Sequence, residues 1–110
     1  MKELVEYLNR KHLIFKSLKE IKPKELGSRK KISIHLGVDL KGYYAVVMQV
    51  VKKSRVLRKE ASELVLLHEK LEQHIDSRVT KKYAIIKAPL CSHARTMLEK
   101  EGWKVWHESE

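Results

Sequence analysis

The segment 32–51 constrains the fold more than any other part of this sequence. Residues 32–40 alternate, with Ile32, Ile34, Leu36, Val38 and Leu40 on one side and Ser33, His35, Gly37 and Asp39 on the other. A period of two belongs to a strand with one buried and one more polar face. Lys41-Gly42 permits a tight turn, and residues 43–51 follow as a second strand. Both of its sides are apolar: Tyr43, Ala45, Val47 and Val51 on one, Tyr44, Val46, Met48 and Val50 on the other. Gln49 is the single polar intrusion. Such a strand belongs in the middle of a sheet, covered on both faces.

The rest of the chain must supply that cover. Leu4, Leu8, Phe15 and Leu18, widened by Val5 and Ile14, predict an amphipathic helix over residues 2–20. Pro23 and Gly27 mark a linker over 22–31, with five basic residues and one acidic one. From about Lys59, Leu64, His68, Leu71 and Ile75 predict a long helix closed by Asp76-Ser77. Residues 82–88 read as a short buried strand ended by Pro89. Ser92 can cap a helix running to Glu101, Gly102 ends it, and Trp103 to His107 form an edge strand.

The expected order is therefore helix-strand-strand-helix-strand-helix-strand. It describes a small α/β fold with a mixed sheet, an N-terminal hairpin and a C-terminal strand-helix-strand. At 110 residues the chain fits a single domain, with an N-terminal helix over 1–21, a basic linker over 22–31 and a core over 32–107.

Charge narrows the function. The net charge is +10, and residues 1–59 hold 16 Lys+Arg against 5 Asp+Glu, a local +11. Arg29, Lys30 and Lys31 precede the first hairpin strand, while Lys52, Lys53, Arg55, Arg58 and Lys59 follow the second. In an antiparallel hairpin the start of one strand lies beside the end of the other, so the two runs are expected to meet. Eight cations in one patch point to nucleic acid held through its phosphates, with salt-dependent affinity and no base specificity. Aromatic interleaving is thin, which disfavours single-strand stacking as the main mode. An adaptor with a basic face for an acidic protein is the alternative from a different class, and a homodimer is compatible with the pattern.

Other classes recede. With 43% hydrophobic and 35% charged residues, the composition is neither that of a disordered nor of a membrane chain. The longest apolar run, Tyr43 to Met48, is six residues, and the charged start carries no signal-peptide core, so a cytoplasmic location is expected. A single cysteine, Cys91, forbids an internal disulfide and a multi-thiolate zinc site. Preceding a helix, Cys91 near His93 and Arg95 is the one candidate thiol site. His68, on the apolar stripe of the long helix, reads as a satisfied core residue. His35 and Asp39 share a strand face but lie roughly 13 Å apart, too far to ligate one metal together.

The order of elements, with Asp39 late in the first hairpin strand and the closing segment from Ala84-Ile85-Ile86-Lys87-Ala88-Pro89 to Glu101-Gly102-Trp103-Lys104-Val105, resembles the restriction-endonuclease-like core, the PD-(D/E)xK fold. The resemblance covers about residues 30–107. It implies a metal-binding Asp at Asp39 and, on the next strand, an Asp or Glu, a spacer and a Lys at Gln49-Val50-Val51. Gln49 is neutral, Val51 is not a lysine, and strand period sends Lys52 to the opposite face. A magnesium- or manganese-dependent nuclease at Asp39 and Gln49 is thus the alternative. The leading expectation is a non-enzymatic nucleic-acid binder without cofactor.

Overall fold

The computed structural model describes residues 2–27 and 32–108. Leu4, Tyr7 and Leu8 form the buried stripe of helix α1 (Lys2–Arg10). The helix expected over 1–21 ends there. His12 takes a left-handed φ of 63°, and the chain continues extended as strand β1 (Phe15–Ile21). Phe15 and Leu18, three residues apart, imitate helical spacing. A bulge between Phe15 and Ser17 adds one residue to β1, which returns both side chains to the same sheet face. The linker at 22–31 opens with a single 3-10 turn (Pro23–Leu26) that buries Leu26.

The hairpin forms as β2 (Ser33–Asp39) and β3 (Tyr44–Val51), with Ser33 opposite Gln49 and Val38 opposite Tyr44. Gly42 supplies the positive φ of 91° that the turn requires. Helix α2 (Arg58–Ile75), β4 (Lys81–Lys87), α3 (Ser92–Lys100) and β5 (Trp103–His107) complete the chain. The five strands lie in the order β1-β2-β3-β4-β5. β2 runs antiparallel to both β1 and β3, whereas β3, β4 and β5 are mutually parallel. The mixed sheet and the closing strand-helix-strand are as expected; β1 is the strand the sequence hid.

As its two apolar sides demand, β3 is the middle strand and is covered twice. Val46, Met48 and Val50 face α2 and α3, packing with Ala61, Leu64, Leu67, Leu71, Ala94 and Leu98. Ala45 and Val47 face α1, packing with Leu4, Tyr7, Leu8, Tyr83 and Ile85. His68 is a satisfied core residue, its Nε2 lying 2.8 Å from the carbonyl oxygen of Val79. Asp76, with φ 52°, ends α2 in the left-handed conformation. No helix among the described residues is long and apolar enough to cross a membrane.

Candidate functional site

Because β3, β4 and β5 are parallel, their carboxyl ends lie at one end of the sheet, opposite the hairpin turn. Loops at that end are the usual place for ligands in open sheets of this kind. The basic connector from β3 to α2 lies there, and it is pinned. The Lys52 amide donates to the Lys87 carbonyl at 3.3 Å, the Val56 amide to the Pro89 carbonyl at 2.8 Å, and the Cys91 amide to the Val56 carbonyl at 3.0 Å. Val56 is fully buried and bridges to Leu90 in parallel fashion, so the loop continues the β3–β4 pairing.

Between and beyond these pins stand the cations. Lys53 and Arg55 are exposed on the loop, and Arg58 and Lys59 are exposed in the first turn of α2. Lys53, Arg55 and Arg58 form no salt bridge with a described carboxylate, while Glu63, one helical turn from Lys59, is engaged in an interaction of its own. Lys52 is different: its Nζ lies 3.0 Å from Glu60 Oε1 and its side chain is mostly buried. The Lys52 hydrogen bond is also the first cause that holds the Glu60 carboxyl below its usual range. Glu60 Oε2 in turn accepts the Leu57 amide at 3.0 Å and fastens the head of α2. Arg58 and Lys59 sit where the helix dipole is positive, an unfavourable place for cations that a bound anion would relieve. The loop thus gathers Lys52, Lys53, Arg55, Arg58 and Lys59; Arg29, Lys30 and Lys31 lie outside the described residues.

Cys91 is the residue before the first turn of α3, beside this loop. Its thiol is pulled below its ordinary pKa by the backbone amides of Ala94 and then His93, with Arg55 and Arg58 adding to the effect. The sulfur nevertheless makes no capping hydrogen bond of normal geometry. Next to it, Arg58, His93, Met97 and Lys100 line a groove of about 440 Å³ between α2 and α3. The groove extends the basic surface away from the loop.

Asp39 and Gln49 are not partners. Gln49 faces Ser33 near the carboxyl end, whereas Asp39 closes β2 at the turn, six residues or about 20 Å away. At the turn, Asp39 Oδ1 accepts the amides of Lys41 and Tyr43, both at 2.9 Å. Its Oδ2 accepts Lys81 Nζ at 2.6 Å. The Lys81 bond, then that from Tyr43, holds the Asp39 carboxyl down to about 2. The carboxylate is a structural clip for the hairpin. Lys81, which the sequence did not mark, is its counter-ion.

The polar face of β2 and β3 instead opens into a cavity of about 500 Å³ beside α1. Ser33, His35 and Gln49 form its floor, with Glu20 of β1 on one side and Lys87 of β4 on the other. Lys87 is in register with Val51, the position where the nuclease motif would carry its lysine. Glu3, Glu6, Glu20 and Glu108 outnumber Arg10 and Lys87 in the wall. His35 is 6% exposed, and its Nδ1 has no hydrogen-bond partner among the described residues. Burial pushes its imidazole toward the neutral form, against the pull of Glu20. The Tyr7 hydroxyl is buried beside Glu108, and burial, then the hydrogen bond and charge of that carboxylate, push it up to about 12. Among the described residues no three His, Cys, Asp or Glu side chains converge as metal ligands. The donor set therefore does not fit the magnesium or manganese that the nuclease resemblance implies. The signal for this cavity was in the sequence, as the shared parity of Ser33, His35 and Gln49.

No protein-family model and no curated protein matches the sequence. Among solved structures, the fold is similar to a repair endonuclease from Pyrococcus abyssi, 20% identical with a TM-score of 0.57, covering 99% of this chain and 45% of that one. It is likewise similar to EndoMS in its complex with double-stranded DNA, 19% identical with a TM-score of 0.56, covering 98% of this chain and 44% of that one. The chain thus spans less than half the length of either protein. At this identity the likeness establishes a shared fold, in agreement with the resemblance to the restriction-endonuclease-like core.

Proposed function

We propose that this protein binds nucleic acid through the phosphate backbone, at the carboxyl end of the parallel strands, without cutting it. The observation that carries this reading is the pinned connector with four exposed cations, Lys53, Arg55, Arg58 and Lys59. A pinned loop presents its charges at little cost in chain ordering, so the entropy lost on binding is small. Exposed Lys and Arg side chains recognise phosphate without reading bases. Arg29, Lys30 and Lys31 are proposed to join the same surface. The fold supports the reading only as analogy, since one structural neighbour is described as a DNA complex.

The cutting half of that analogy lacks its chemistry here. Phosphodiester hydrolysis of the two-metal kind needs anionic oxygens to hold hard cations at the scissile phosphate. In this chain Asp39 is committed to Lys81, and Gln49 faces Ser33.

The test is fluorescence anisotropy with a labelled duplex and a labelled single strand, alongside incubation of plasmid with magnesium or manganese. The proposal expects micromolar or tighter binding at low salt and intact plasmid. Absence of binding at 50 mM salt overturns the first half. Plasmid nicking that disappears with Gln49→Leu or Lys87→Gln overturns the second.

A further inference from the structure

The cavity beside α1 is left unused by phosphate binding. We infer that it takes a single unstacked nucleobase bearing an exocyclic amino group, turned in from a strand whose phosphates lie on the basic loop. This inference rests on the proposed nucleic-acid binding and specifies what the cavity adds to it.

Position is the first argument. The cavity wall includes Val51, and the next residues along the chain are Lys52 and Lys53 of the basic loop. The loop and the cavity therefore share one end of the sheet, within reach of one bound strand. Size is the second. About 500 Å³ lies within the usual range for a small-molecule pocket and is ample for one base.

Charge decides which part of a nucleotide fits. With four carboxylates against two cations in the wall, a phosphate is repelled from the interior, and the basic loop outside is the better place for it. A carboxylate only accepts hydrogen bonds, so it favours an amino group and opposes a carbonyl oxygen at the same position. Cytosine N4 donates where uracil O4 accepts, and the two bases otherwise have nearly the same shape.

The floor is suited to the remaining edge. Gln49 and Ser33 each offer both a donor and an acceptor. His35, more than nine-tenths buried in this floor, has no partner for its Nδ1 among the described residues. Buried polar groups are ordinarily satisfied, and an unsatisfied one in a cavity wall marks a place for a polar guest.

The experiment compares ten-nucleotide oligomers of deoxycytidine and deoxyuridine, by anisotropy at one fixed salt concentration and pH 7.5. The expected result is cytosine binding about tenfold tighter. Glu20→Gln, an exposed position that spares the core, should bring the ratio toward one, and Gln49→Leu should do the same. Replacing Lys53 and Arg55 with Gln should weaken both oligomers while leaving the ratio in place. Equal, salt-dependent affinity for the two oligomers overturns the cavity assignment and leaves phosphate binding standing. A preference for cytosine that both cavity variants retain also overturns it. If neither oligomer nor a duplex binds, the underlying reading falls, and this inference with it.

Discussion

At the hairpin end of the sheet, Asp39 holds Lys81 at 2.6 Å and two backbone amides at 2.9 Å, so this carboxylate has its partners inside the fold. At the opposite end, Lys53, Arg55, Arg58 and Lys59 stand exposed on a loop and helix start fixed to the β4–α3 connection. The contrast separates two uses of charge. A paired carboxylate secures a turn, whereas a cluster of exposed cations on a fixed frame is self-repelling and creates a positive field. The aspartate that the family resemblance singled out is held by Lys81 and the turn amides, at the opposite end of the hairpin from Gln49.

The largest effect expected from breaking this contrast is on binding. Replacing Lys53, Arg55, Arg58 and Lys59 together with Gln should lower duplex affinity at low salt on the order of 100-fold. The melting temperature should stay level or rise, because like-charge repulsion is relieved. Lys81→Gln at the other end should leave affinity unchanged, and an equal loss there would erase the distinction between the ends.

Stability offers the next effect. Val56→Ala removes buried packing where the loop is pinned and should cost about 1–3 kcal/mol in denaturant unfolding. It should also weaken nucleic-acid binding, since the cations then sit on a looser frame. A variant that loses stability but binds as before would show that pinning is irrelevant to the site.

Acid titration probes the hairpin end. The Asp39 carboxyl titrates lower in the folded protein, at about 2, than in the unfolded chain, so its contribution is present above about pH 4 and is lost as the pH falls toward 2. Asp39→Asn should flatten the unfolding free energy across that window and leave nucleic-acid binding at pH 7 untouched. An unchanged acid limb would contradict the clip.

The smallest effect is local. Cys91 is held below its ordinary pKa by the amides of Ala94 and His93 and by Arg55 and Arg58. Replacing the two arginines with Gln, or covering them with a bound duplex, should raise that pKa and slow thiol modification near neutral pH. A pH–rate profile that ignores both changes would place the arginines too far from the sulfur to matter.

Much of this layout was legible in the residues. The alternation at 32–40 and the doubly apolar run at 43–51 specified the hairpin and the central strand, because burial on one or two faces leaves a direct periodic trace. The pattern of α2 did the same for the cover. Strand β1 was hidden, since its bulge spaces Phe15 and Leu18 by three and counterfeits a helix. The tie between Asp39 and Lys81 spans 42 residues, a separation at which no local pattern can announce a partner. The basic loop was legible as charge, but its rigidity was not, because Val56 gains its partners from Pro89 and Cys91 far along the chain. The polar floor of the cavity could be seen as parity, yet α1 had to be placed before a cavity existed.

The central claim is that the exposed cations of the 52–59 connector hold phosphate, and the most direct measurement is the salt dependence of duplex binding. With about four phosphates neutralised, the logarithm of the binding constant should fall with the logarithm of salt at a slope of roughly −4. The Gln replacement of Lys53, Arg55, Arg58 and Lys59 should bring that slope close to zero, apart from any share carried by Arg29, Lys30 and Lys31. A native slope near zero, or a slope that the replacement leaves unchanged, would contradict the account.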